Sequence, residues 1–321
     1  MPRLHRVVLA LALAGLLPHC ATSSGAEGSP APSGDAVGLR FAWPAGFTAQ
    51  VTSTTVEAQG TQPPERKERR FQLRMEGMGE ERKVVTVPVP GEASTSATPA
   101  QPMLTPTMVV GDSGEFKRVE GVDQALGEMF KDAESQGVPP EQQKELRGLV
   151  GGALEQASRD RWDELVGKWN GLALEPGKPV ERKGRMTVPF FGNSLDTVER
   201  LTLKERVPCA EGESEKRCVL LTLEASLDPE GTQRGGLELV KRMKAFMKAN
   251  AGLPESALPE MTVERMQLNG IFELVTEPDT LVPHRLRHQG QSLVVLKSEE
   301  EGTQDFRLQG ERIEVFTPGA R

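Results

Sequence analysis

From residue 39 onward, apolar and polar residues alternate one for one in run after run, a period that few folds besides antiparallel β-sheet can use. Phe71, Leu73 and Met75 alternate with Arg70, Gln72 and Arg74. Val219, Leu221, Leu223, Ala225 and Leu227 share one face of a second run, and Leu201, Leu203, Glu205 and Val207 share one face of a third. Neighbouring side chains in a strand point to opposite faces, so alternation describes a sheet buried on one side and wet on the other. Leu39, Phe41 and Trp43 open the series, followed by 47–56, 70–76 and 84–89. Later runs cover 186–191, 198–207, 218–227, 262–268, 270–275, 281–289, 292–298, 304–308 and 312–316, with tight turns expected at Gly290-Gln291 and Gln309-Gly310.

Helical spacing interrupts the strands twice. Val122, Leu126, Met129, Phe130 and Ala133 form one stripe; Pro139-Pro140 then starts a second helix whose stripe continues through Trp162, Leu165, Val166 and Trp169. A tryptophan pair at that spacing is expected in the core. The third helix presents Leu237, Leu239, Val240, Met243, Phe246 and Met247 on one face and Lys241, Arg242, Lys244 and Lys248 on the other. The lysine face is expected in water, with an anionic membrane surface as the alternative. Strands in runs, without βαβ alternation, point to an α+β fold: a curved, half-barrel-like antiparallel β-sheet packed against a few helices. The folded unit is expected over 37–321, with a helical insert near 122–170.

The N-terminus reads as an export signal. Arg3 and Arg6 precede an unbroken apolar run from Val7 to Leu17, too short for a permanent membrane helix, and Pro18 ends it. A signal peptide over 1–19 is expected, then a Ser/Pro/Gly-rich tether over 20–36. The segment Leu16-Leu17-Pro18-His19-Cys20 resembles the lipobox of bacterial lipoproteins, with His19 and Pro18 as departures from it. The resemblance implies that Cys20 is acylated and becomes the new N-terminus, and that Ala21 after it directs the protein to the outer membrane. Cleavage after Ser24-Gly25-Ala26 is the competing site.

Cys20, Cys209 and Cys218 are the only cysteines. Lipidation of Cys20 accounts for the odd one and leaves a pair bracketing a polar loop between two alternating segments, which reads as a hairpin closed by a Cys209–Cys218 disulfide. The spacing is not C-x-x-C, so redox catalysis and metal binding there are disfavoured.

Other chemistry finds little support. The net charge of -7 falls to about -9 once Arg3 and Arg6 are removed, and no basic stripe with interleaved aromatics exists, so nucleic acid is not an expected partner. Residues 65–70 (Glu65, Arg66, Lys67, Glu68, Arg69, Arg70) are read as a solvated strand start. Gly111-Asp112-Ser113-Gly114 is read as a turn, not a phosphate loop or nucleophile elbow. His284 and His288 lack a third ligand and are read as half-exposed strand residues. No catalytic residue, metal or cofactor is expected, although a pair of carboxylates has no local signature. Aromatics are only 4% of the chain and tyrosine is absent, so a large aromatic-lined cavity is not expected either.

From about residue 39, the layout resembles uncharacterised exported bacterial lipoproteins in the segment from Phe41 to Pro44, in Gly111 to Gly121, in the Trp162 to Trp169 helix and in Leu174 to Pro179. In architecture alone it is similar to periplasmic carriers of lipid and lipoprotein, which curve an antiparallel sheet around helices. These likenesses imply a membrane-tethered envelope protein, held by its N-terminal lipid, with a non-enzymatic binding role for an apolar ligand. The alternatives are a structural or protein–protein module of the envelope and, last, a hydrolase with an unrecognised carboxylate site.

Overall fold

The computed structural model describes residues 19–21, 35–60, 62–77, 79–89, 106–130, 140–188, 193–251, 260–298 and 302–319. Residues 1–18 of the expected signal peptide, most of the tether, Ala26 and most of the 90–106 loop lie outside these residues, while His19 and the first two tether residues, Cys20 and Ala21, form a strand. The elements are β1 (His19–Ala21), β2 (Val37–Gly38), β3 (Thr48–Gln59), β4 (Glu65–Glu76), β5 (Glu81–Pro88), β6 (Thr107–Gly111) and β7 (Phe116–Glu120), then α1 (Val122–Met129) and α2 (Pro140–Trp162). Helix α2 runs directly into a π-helical turn, Asp163–Gly167. There follow β8 (Ala173–Leu174), β9 (Val180–Val188), β10 (Asn193–Val207), β11 (Cys218–Leu227), α3 (Pro229–Ala251), β12 (Met261–Thr276), β13 (Pro283–Ser298) and β14 (Gly302–Pro318).

One antiparallel sheet takes the order β1-β9-β10-β11-β12-β13-β14-β3-β4-β5-β6-β7, and β2 with β8 makes a small ribbon beside it. The sheet is large, open and curved, and α2 packs against β1 at one edge and against β6 and β7 at the other. The α+β, half-barrel-like architecture expected from the alternation is therefore the one observed. Its convex face carries cross-strand ion pairs such as Glu181–Arg200 and Arg287–Glu311. An outward face of that kind belongs in water, whereas a membrane-spanning barrel needs an apolar band there. Among the described residues, no helix is long and apolar enough to cross a membrane.

Several boundaries differ from the expected ones. The paired runs 262–268 and 270–275 are a single 16-residue strand, and β13 and β14 run straight through Gly290-Gln291 and Gln309-Gly310. Glycine there marks no turn: Gly270, Gly290 and Gly310 stand opposite one another on adjacent strands, with Ala225 completing the row. Strand β9 covers Val180–Val188, and the rest of the expected run 186–191 lies outside the described residues. In β10 the register shifts between Leu203 and Glu205, so Glu205 turns out to water while Leu201 and Leu203 stay buried. Residues 39–43 are extended but lie outside the sheet. The Leu39 and Ala42 amides donate to the Leu172 and Thr280 carbonyls, and Leu39, Phe41 and Trp43 point into the core.

The core lies between the concave face and the residues from 160 to 169. Trp162 meets Phe41 and Trp43 edge-on, at 5.5 Å between ring centroids in each pair. Its indole N–H donates to the Gly114 carbonyl, and that of Trp43 to the Leu281 carbonyl. Gly114 has φ 89 and a ring of Phe41 against it, so no side chain fits that turn. Both Trp162 and Trp169 are core residues, as the helical spacing implied.

Candidate functional site: a buried ionic cluster beside an apolar trough

The concave face has two zones, and the first is charged. An α-helix would turn some of residues 160–168 outward. The π turn adds a residue, seen in the Lys168 amide donating back to the Asp163 carbonyl, and Asp163, Glu164, Leu165 and Val166 are all buried. Glu164 and Lys168 therefore face the sheet. Lys168 Nζ lies 3.1 Å from Glu199 Oε1, with side-chain exposures of 1% and 0%. Arg182 Nε donates to the other Glu199 oxygen at 3.0 Å. Gly184 leaves the room: a Cβ there would fall 2.6 Å from the Glu199 carboxyl carbon.

A second group lies on β13 and β14. Arg312 donates to Glu164, Arg161 donates to Glu314, and Ser53 donates to Glu314 at 3.4 Å. His288 Nδ1 is 3.8 Å from Glu164 Oε1. Burial works against the charge of Arg312, but Glu164 and Glu314 outweigh it and hold its pKa above the usual value. Asp160 behaves differently. Desolvation lifts its carboxyl to about 7, against a hydrogen bond from Gln156, and the negative charges of Glu164 and Asp163 add to the rise.

Only about 10 Å³ remains open between the π turn and Leu223, Ala225, Gly270, Phe272 and His288. That is room for one water at most. Ala225 and Gly270, at one end of the small-residue row, line this gap, which explains small residues in the middle of those two strands. His288 is 5% exposed, not half-exposed as its strand position suggested, because the π turn covers it.

The second zone is apolar and lies toward the other end of β12–β14. Met266, Leu268, Val294 and Leu296 are buried there, while Val263 and Phe306 at its margin are only partly covered. Helix α3 lies over the β10–β12 side. Its backbone comes close through Gly235 and Gly236, where a Cβ would meet Leu195 and Val263. A separate open groove of about 710 Å³ beside the β2–β8 ribbon is lined by charges of both signs, including Asp35, Glu175, Lys178 and Arg206.

The disulfide expected between Cys209 and Cys218 is formed, with Cα atoms 5.1 Å apart. Cys20 lies in β1, opposite Met186. His284 and His288 share a strand but serve separate environments, His284 near the disulfide and His288 in the ionic cluster. Sequence reasoning missed the cluster itself. Its signal was charge on the inward register, at Glu199, Arg312 and Glu314, where alternation calls for apolar residues.

No protein-family model matches the chain. No curated protein matches it. Among solved structures, lipovitellin, from a structure described as concerning lipid–protein interactions, is similar with a TM-score of 0.38 and 7% sequence identity, over 87% of this chain and 26% of that one. The chain thus spans about a quarter of the length of the lipovitellin chain.

Proposed function

We propose that this is a lipid-anchored protein of the cell envelope that holds an apolar ligand, such as an acyl chain, in the trough beside α3 without acting on it chemically. One observation carries the reading: inward-facing Val263 and Phe306 remain only partly covered at the margin of an apolar zone in which Met266, Leu268, Val294 and Leu296 are buried. Apolar pockets with few polar groups suit lipid-like ligands, and flexible methionines adapt to ligands of differing shape.

The clustered acids favour binding over hydrolysis. Glu164, Glu199 and Glu314 are each paired with a cation, and the space beside Glu164 and Lys168 admits no substrate. Exposed large apolar residues such as Val180, Leu237 and Val315 are scattered over different elements, so a broad apolar protein-docking face finds less support. Attachment to the membrane rests on the lipobox likeness at Cys20, and an outer-membrane address on Ala21 after it.

Native mass spectrometry of protein released from membranes tests the anchor and the ligand separately. The expected spectrum shows an N-terminal Cys20 with added acyl mass and a bound apolar molecule lost on activation. The apo protein should take up a fluorescent fatty acid, and Met266→Glu should abolish uptake while the anchor mass is unchanged. An unprocessed N-terminus sinks the anchoring, and uptake equal in wild type and Met266→Glu sinks the trough.

A further inference from the structure

We infer that reduction of the Cys209–Cys218 bridge turns the corner between β11, β12 and β13 into a site for a zinc-class metal ion, with Cys209, Cys218 and His284 as ligands. The sulfurs and a ring nitrogen of His284 all lie within 4.8 Å of one another. A tetrahedral zinc site has Zn–S near 2.3 Å and Zn–N near 2.0–2.1 Å, which sets its donor atoms roughly 3.5–3.8 Å apart. Small rotations of three side chains cover the difference. Strands β10 and β11 are paired from Val207 and Cys218 onward, so the backbone holds both cysteines near these positions after the bond opens.

The surroundings are also those of a ligand histidine. His284 Nε2 is 3.4 Å from Glu277 Oε1, which orients the ring for coordination through Nδ1. Val207, Leu220 and Val275 pack around the two cysteines, and a water completes the tetrahedron. Closed, the disulfide offers no thiolate and the site is shut.

The chemistry balances. A dithiol gives two electrons and two protons to the S–S bond and closes into its own disulfide, leaving thiols on Cys209 and Cys218. Each thiol releases its proton as Zn²⁺ binds. The site thus takes up zinc only under reducing conditions, and releases it when a disulfide oxidant accepts the two electrons, leaving as a dithiol while the Cys209–Cys218 bond reforms. This inference is independent of the trough, which lies at the opposite end of the strands.

The test is zinc titration of the full chain against a chromophoric chelator, oxidised and dithiol-reduced, the latter desalted without oxygen. Cys20 is the same in both arms, so the difference reports the pair alone. Reduced protein is expected to bind one additional zinc ion per chain, and Co²⁺ in its place to show thiolate-to-metal charge-transfer absorption. Glu277→Gln should weaken binding roughly 10–100-fold, and His284→Ala at least as much. Circular dichroism covers loss of structure on reduction: refolding on addition of zinc supports the site, and a chain that stays unfolded with zinc overturns it. Reduced wild type that binds zinc no better than oxidised protein, or as well as His284→Ala does, also overturns it.

Discussion

Lys168 and Glu199 form an ion pair 3.1 Å long at exposures of 1% and 0%, joining the end of the π turn to the middle of β10. Both charges have left water completely, and Arg182 supplies the second partner of Glu199. Removing Lys168 leaves the buried Glu199 carboxylate with a single, partly exposed partner, Arg182. Lys168→Met should therefore destabilise the fold by about 3–5 kcal/mol. The double variant Lys168→Met, Glu199→Leu should recover most of that loss, because Arg182 is 29% exposed and can turn to solvent. Urea midpoints of the single and double variants decide it; equal losses in both would show that packing, not charge, holds the π turn down.

Asp160 makes stability depend on pH. Its folded pKa of about 7 lies above the ordinary carboxyl value of 3.8, so between those values the folded state keeps a proton that the unfolded chain has released. The associated stability is complete below about pH 3.8 and is lost as pH rises through 7. Asp160→Asn keeps an acceptor for Gln156 without the charge. It should match wild type near pH 4 and exceed it at pH 8, by about 4 kcal/mol at most, from a shift of 7 − 3.8 at 1.36 kcal/mol per unit. Thermal melts across that range check it, and a pH-independent difference would refute the assignment.

Gly270 should tolerate no side chain. The void beside Gly270 is about 10 Å³, far less than an isopropyl group needs. Gly270→Val is expected to cost about 1–3 kcal/mol through overpacking. Gly38→Ala, with nothing within 4 Å of the added carbon, should change stability by no more than about 0.5 kcal/mol. Comparable losses at both positions would mean that the gap beside Gly270 is not this narrow.

Removing the disulfide should cost about 2.5–3 kcal/mol, the loop-closure entropy of a bridge across nine residues of separation. Cys209→Ser with Cys218→Ser, measured by guanidinium unfolding in the absence of added metal, tests this. A loss well under 1 kcal/mol would show that the β10–β11 pairing alone restrains the unfolded hairpin.

Much of the fold is legible along the chain. A period of two assigned most strands, a helical period with Pro140 at its start assigned α2, and two cysteines around a polar loop assigned the bridge. These are local signals, fixed by geometry within one element. The glycines misled because a lone glycine flanked by polar residues resembles a turn. Their alignment across β12, β13 and β14 is invisible until the register is known.

The ionic cluster was hidden for the same reason. Glu199, Arg312 and Glu314 occupy inward positions, yet nothing in their own strands shows what would neutralise them; their partners Lys168, Glu164 and Arg161 come from a helix end as many as 153 residues away in sequence. Side-chain period is a property of a few neighbouring residues, and the amino-acid sequence alone determined it. Which inward position receives a counter-charge, and which a glycine, depends on what packs above the sheet, and only the tertiary structure decided that.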